Sequence, residues 1–260
     1  MNKYKKIVSI AATAVMCVAP MSVYAQEAQT DVIEAVAEKK QDTESSSVPV
    51  LQKEGIEISE GTGYDLSKEP GAATVKALEQ GTIVISYKTT SENAIQSLLS
   101  VGNGTKGNQD RHFHLYITNA GGVGMELRNT DGEFKYTLDC PAAVRGSYKG
   151  ERVSNTVALK ADKENKQYKL FANGELIATL DQEAFKFISD ITGVDNVMLG
   201  GTMRQGTVAY PFGGSIERMQ VYRDVLSDDE LIAVTGKTIY AENIFYAGDA
   251  TKSNYFRIPS

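Results

Sequence analysis

The chain has 260 residues, a formal net charge of −6, two cysteines, two histidines and no tryptophan. An acidic chain without a basic cluster is a poor binder of nucleic acid or anionic membranes. Of the two cysteines, Cys17 falls in a leader-like segment. Cys140 alone cannot form an intramolecular disulfide, so stability must come from a core.

The N-terminus reads as a secretory signal peptide, residues 1–25. Lys3, Lys5 and Lys6 precede an apolar run from Ile7 to Val18, and Val23-Tyr24-Ala25 offers small residues for cleavage after Ala25. Losing those lysines takes the net charge to −9. Residues 26–49 are polar, with Glu38-Lys39-Lys40-Gln41-Asp42 and Ser45-Ser46-Ser47, and read as a flexible tether. Ordered structure is expected from near Val50, leaving about 190 residues, enough for one domain.

From there the pattern has period two. Strands are predicted over Thr82–Lys88, Ser97–Val101, His112–Thr118, Val123–Asn129, Asn155–Ala161, Gln167–Phe171, Glu175–Leu180, Asn196–Leu199 and Ile216–Tyr222. Gly, Asn and Asp clusters punctuate them, and Asn173-Gly174 is a hairpin signal. Two short helices are expected. Asp181–Ser189 carries Phe185 and Ile188 three apart, and Ser227-Asp228-Asp229-Glu230 is a capping box. The fold class is therefore all-β, an antiparallel sandwich with one or two short helices.

Gly213-Gly214-Ser215-Ile216-Glu217-Arg218-Met219-Gln220-Val221-Tyr222, followed by Leu226-Ser227-Asp228-Asp229-Glu230-Leu231, resembles the closing strand and capped helix of concanavalin A-like lectin domains, which are jelly rolls. A narrower resemblance spans residues 50–237. It rests on Leu98–Gly102, Phe113–Ile117, Gly124–Asn129, and Leu199–Arg204 running into Tyr210-Pro211-Phe212-Gly213-Gly214. These stretches are similar to the family 40 carbohydrate-binding modules at the N-terminus of bacterial sialidases. Tyr255-Phe256-Arg257-Ile258-Pro259 resembles the Phe/Tyr-Arg-Ile-Pro motif that opens the catalytic propeller of those enzymes. Residues 238–260 are accordingly expected to be a linker and the first residues of a truncated catalytic domain, with Arg257 the first arginine of the parent enzyme's triad.

What the resemblance implies is a site for sialic acid, an anion. Arginine suits a carboxylate because its planar fork donates bidentately, and the family pattern implies Arg128 and Arg204. Glu126 and Arg128 stand two apart on a predicted strand and so leave the same face, with Met125 and Leu127 turned to the core. Glu126 would accept from ligand hydroxyl or amide groups and hold Arg128. Tyr116 is expected opposite Glu126, and His114 opposite Arg128, if residues 119–123 form the loop between the strands. Tyr210 resembles the family's binding aromatic, and Ile95 would form an apolar wall for the N-acetyl methyl group. His112 and His114 alternate like two metal ligands, but the chain has no third histidine, and neither metal nor cofactor is expected.

The strands show no Glu-x-x-x-Glu pattern of jelly-roll hydrolases, and the Ser-x-Asp-x-Gly-x-Thr-Trp box of sialidases cannot exist without tryptophan. The expectation is a secreted or cell-surface bacterial module, monomeric and non-catalytic. It would bind sialylated glycans such as mucins, without nucleic acid and without membrane insertion after signal cleavage. The alternatives are a concanavalin A-like adhesin for another sugar or a protein, and a jelly-roll glycoside hydrolase.

Overall fold

In the computed structural model the described residues are 47–89, 95–105, 110–129, 133–140, 147–148 and 151–236. The expected signal peptide, the expected tether up to residue 46, and Arg257 with the rest of 238–260 lie outside them.

Two six-stranded antiparallel sheets face each other in a jelly-roll sandwich. The first runs β1 (Leu51–Ile58), β16 (Gly214–Tyr222), β3 (Gly81–Thr89), β10 (Asn155–Asp162), β11 (Gln167–Ala172), β12 (Glu175–Asp181). The second runs β2 (Tyr64–Asp65), β13 (Asn196–Leu199), β4 (Gln96–Gly102), β5 (His112–Ile117), β6 (Val123–Asn129), β7 (Phe134–Cys140). Two small hairpins are added, β8 (Ser147–Tyr148) with β9 (Glu151–Arg152), and β14 (Thr202–Arg204) with β15 (Thr207–Ala209). Every predicted strand is present; β1, β2, β7 and the small hairpins add to them.

Alternation builds the core. Ile83, Ile85 and Tyr87 of β3 and Val157, Leu159 and Ala161 of β10 point between the sheets, where they meet Phe113, Leu115, Met125 and Leu127. Yet β3, β4 and β5 are buried along nearly their whole length, on both faces. The outer face of the first sheet is covered because Val84, Ala158, Phe171 and Tyr222 pack under Leu226 and Leu231. Leu231 belongs to a helix, α2, at residues 228–236. The outer face of the second sheet is covered differently, and that difference makes the site.

The capping box forms as expected. The Ser227 N–H and hydroxyl donate to the Glu230 carboxylate, each at 2.8 Å, and the Glu230 N–H donates to Ser227 Oγ at 3.2 Å. Lys160 and Lys169 of the sheet reach Asp228 at 2.8 and 2.6 Å and pin the helix start. The expected turn at Asn173-Gly174 is also made, both residues having φ above zero (52° and 91°) as a two-residue hairpin turn demands.

The helix expected over Asp181–Ser189 is not there. Asp181 ends β12, and only Ile188–Asp190 makes a single 3₁₀ turn. Tertiary contacts override the local pattern. The Tyr168 hydroxyl accepts from the Lys186 N–H and donates to its carbonyl, supplying both bonds a helix would have made. Phe185 stacks on Tyr168 with ring centroids 4.8 Å apart, while Phe187 is fully buried against Phe113. A short helix not expected from the pattern, α1 (Ala72–Lys76), forms early in the chain and buries Ala72 and Val75.

Replacing Ser227 by alanine removes a reciprocal cap and should cost about 1 kcal/mol. For a domain of this size that lowers the melting temperature by roughly 2–4 °C, readable by calorimetry.

Candidate functional site

Pairing across β4 to β7 lines up one row of side chains on the outer face of the second sheet. His112 pairs with Arg128, His114 with Glu126 and Tyr116 with Gly124. Beyond them Arg128 faces Lys135, Glu126 faces Thr137 and Gly124 faces Asp139. The strands thus place Tyr116 and Glu126 on one face, as expected, but the partners differ from expectation by two residues. Thr118 belongs to the turn: its N–H donates to the Gly122 carbonyl at 3.0 Å and its hydroxyl accepts from the Gly122 N–H at 2.9 Å. The five-residue loop is therefore 118–122. An even slip preserves the face and changes only the opposite neighbour.

Gly124 makes the row possible. A Cβ there would lie 2.6 Å from the Tyr116 ring and 2.1 Å from Asp139 Oδ1. The ring lies across the glycine and its hydroxyl donates to Asp139. Burial, then this carboxylate partner, raises the phenol's pKa well above its usual value, so it remains a donor.

The hairpin β14–β15 covers the β4 end of the row. Its turn, Gln205-Gly206, has φ of 52° and 78°, again the two-residue hairpin type. Underneath, Ser100 donates to the Gly201 carbonyl at 2.8 Å and the Thr202 hydroxyl reaches Ser97 Oγ at 3.0 Å and His114 Nδ1 at 3.3 Å. Tyr210 follows with φ 52°. Its carbonyl accepts from the Ser97 N–H at 2.9 Å, fixing the residue to β4. The Tyr210 ring centroid lies 5.4 Å from that of His114, and Tyr116 lies 4.4 Å away. His114 therefore contacts both tyrosine rings.

Arg204 arrives with the hairpin. Its Nη1 donates to the Tyr210 hydroxyl at 2.9 Å, with the guanidinium 5.6 Å from the ring centroid. Its Nη2 lies 3.2 Å from Asp110 Oδ1, while Arg128 Nη2 lies 3.1 Å from Asp110 Oδ2. One carboxylate thus bridges two arginines from distant parts of the chain. Each arginine side chain keeps 26% of its surface exposed, so the pair still faces solvent. Glu126 reaches Arg128 at a longer 3.5 Å and Lys135 at 3.5 Å.

Beneath the arginines the histidines are only 2% and 4% exposed. Burial, followed by the charges of His112, Arg204 and Arg128 against the opposing pull of Glu126, lowers the His114 pKa to about 3. Glu126 goes the other way. Burial raises its pKa, but the bond from His112 Nε2 at 3.1 Å and the surrounding positive charge outweigh that and hold it at about 2. Glu126 is thus an acceptor at all ordinary pH. His112, His114 and Glu126 present ligand atoms within 4.8 Å of one another. A cation there would have to break the His112–Glu126 bond and sit near the Arg128 and Arg204 guanidiniums; it is the guanidiniums, not this trio, that suit an anion.

Of the expected site residues, Arg128, Glu126, Arg204, Tyr210 and Tyr116 come together. Ile95 stands exposed (38%) just before β4, one strand from His114 and Tyr116. Asp110, Lys135, Gly124 and Asp139 join the site without any signal in the pattern of the sequence. The surface cavity lined by Thr74, Leu78, Gln80, Lys163 and Arg223 shares no residue with this row.

Comparisons with known proteins agree in kind. The family described as sialidase, N-terminal domain, matches residues 33–238. The chain is 65% identical over 245 residues to an anhydrosialidase of the leech Macrobdella decora, covering 92% of this chain and 32% of that protein's length. It thus spans about a third of that curated relative. Two solved structures cover 73% of this chain and all of theirs. One, of the Ruminococcus gnavus IT-sialidase CBM40 bound to α2,6 sialyllactose, is 99% identical with a TM-score of 0.72. The other, bound to α2,3 sialyllactose, is 96% identical with a TM-score of 0.70.

Because the His114 value in the fold lies below its ordinary 6.5, the unfolded chain takes up a proton that the folded chain refuses. Stability should therefore fall as pH drops from about 6.5 toward 3, by up to about 1.4 kcal/mol per unit. The difference in unfolding free energy between the wild type and His114→Gln, measured in urea at pH 7 and pH 5, should shrink at the lower pH. Gly124→Ala should displace the Tyr116 ring and cost about 1–3 kcal/mol of stability, measurable by urea denaturation.

Proposed function

Because the chain belongs to the family of sialidase N-terminal domains, we propose that it is a non-catalytic carbohydrate-binding module that holds the terminal sialic acid of glycans. The observation that carries this reading is the convergence of Arg128 and Arg204 on one opening beside an ionised acceptor, Glu126. The arginines take the ligand carboxylate. Glu126 accepts from hydroxyl or amide N–H groups. Tyr116 and Tyr210 offer ring faces and hydroxyls, and Ile95 a wall for the N-acetyl methyl group. The near-identical chains that hold α2,6 and α2,3 sialyllactose support it. Those two ligands carry the same sugars and differ in the linkage between them, so the near-identical chains tolerate either linkage.

The parent protein is a sialidase, hydrolytic or intramolecular trans-sialidase, secreted or displayed at the cell surface of a bacterium. Among the described residues no helix is long and apolar enough to cross a membrane. The module works as a monomer and acts by concentration. A single open site should bind between about 10 µM and 1 mM, roughly −4 to −7 kcal/mol. On a mucin bearing many sialic acids, tethering keeps a linked catalytic domain among substrates.

Titration with sialyllactose should show binding in that range, and lactose should show none; equal binding of the two, or binding of neither, defeats the reading. Arg128→Ala and Arg204→Ala should each weaken binding at least about tenfold with the melting transition retained, since both side chains are partly exposed. The purified chain should release no sialic acid.

A further inference from the structure

Two guanidiniums in one opening repel each other, and each is attached to a long, flexible side chain. Arg128 comes from β6, and Arg204 from the hairpin laid over β4. Other partners hold them one at a time. Arg204 Nη1 donates to the Tyr210 hydroxyl at 2.9 Å and Arg128 Nη1 reaches Glu126 only at 3.5 Å. Among the described residues, Asp110 is the one carboxylate paired with both, through a different oxygen to each, at 3.1 and 3.2 Å. It sits two residues before His112, whose place under Arg128 is fixed by strand pairing. Asp110 is thus attached to the strand next to Arg128's own and reaches across to the hairpin.

We propose that Asp110 is the positioning residue of the anion site: its carboxylate locks Arg128 and Arg204 side by side so that their remaining N–H groups converge on a single ligand carboxylate. This rests on the sialic-acid reading given above and adds to it a residue that need not touch the sugar. Asp110 engages one Nη nitrogen of each guanidinium, out of the five N–H donors that each arginine carries. It also places a negative charge directly between the two guanidiniums, which offsets their mutual repulsion.

The test uses Asp110→Asn and Asp110→Glu in the whole chain. Asparagine keeps the shape but loses the charge and turns one acceptor into a donor, so sialyllactose binding should weaken about tenfold. Glutamate, which keeps the charge on a longer arm, should recover part of the loss. The second readout needs no ligand. In the wild type, NMR of the arginine side chains should show hindered guanidinium rotation for Arg128 and Arg204, assigned through Arg128→Lys and Arg204→Lys, and Asp110→Asn should release it. Binding by Asp110→Asn unchanged or tighter overturns the proposal, and so do freely rotating guanidiniums in the wild type. The NMR arm stands even if Asp110→Asn fails to fold. Wild-type titration against lactose tests the sialic-acid reading alone, and the unliganded arginine signals test Asp110 alone.

Discussion

Two arginines sharing one opening is the constraint around which this face of the protein is arranged. Like charges at this range are held together only if opposite charge stands among them and if the groups beneath do not compete for it. Asp110 and Glu126 supply the opposite charge. The histidines beneath satisfy the second condition: His114 is held neutral by burial, and His112 spends its Nε2 on Glu126. The result is a close pair of guanidiniums on an acidic protein, produced by local geometry against the net charge.

A buried polar layer lets the sheet carry such a face. Ser97, Ser100, His112, His114 and Thr202 are all nearly inaccessible. Polar groups so buried destabilise a fold unless they are bonded; His112 is bonded to Glu126, and the β14–β15 hairpin and the residue before it bond the rest: Thr202 to Ser97 and His114, and the Gly201 carbonyl to Ser100. The same hairpin brings Arg204 and Tyr210. Covering the layer and completing the site are therefore one structural event. The opposite sheet solves its exposure with apolar contacts and a capped helix, whose first turn is tied down by Lys160 and Lys169 on Asp228.

Much of this was legible in advance, and the exceptions are instructive. The faces of Glu126, Arg128, Tyr116 and His114 follow from pleating, since residues two apart share a face whatever the partner strand does. The partners were shifted by two because Thr118 bonds within the turn through both backbone and side chain. The capping box at Ser227 is a contact within four residues and was readable for that reason. The segment before Asp190 misled because a distant hydroxyl, that of Tyr168, supplied the bonds of a helix. Nothing in the neighbourhood of Asp110 marked it, for its partners lie 18 and 94 residues away.

By itself, then, the sequence determined what local chemistry controls: period-two strands, the turns at Asn173-Gly174, the cap at Ser227 and the face from which each site residue of β5 and β6 projects. Only the tertiary structure decided which of those residues meet. Convergence of Arg128, Arg204 and Asp110 depends on strand order and on the hairpin folding over β4, and these are settled by packing between the sheets and by the need to bond a buried polar layer. Such contacts join residues far apart in the chain, and no local pattern carries their distance.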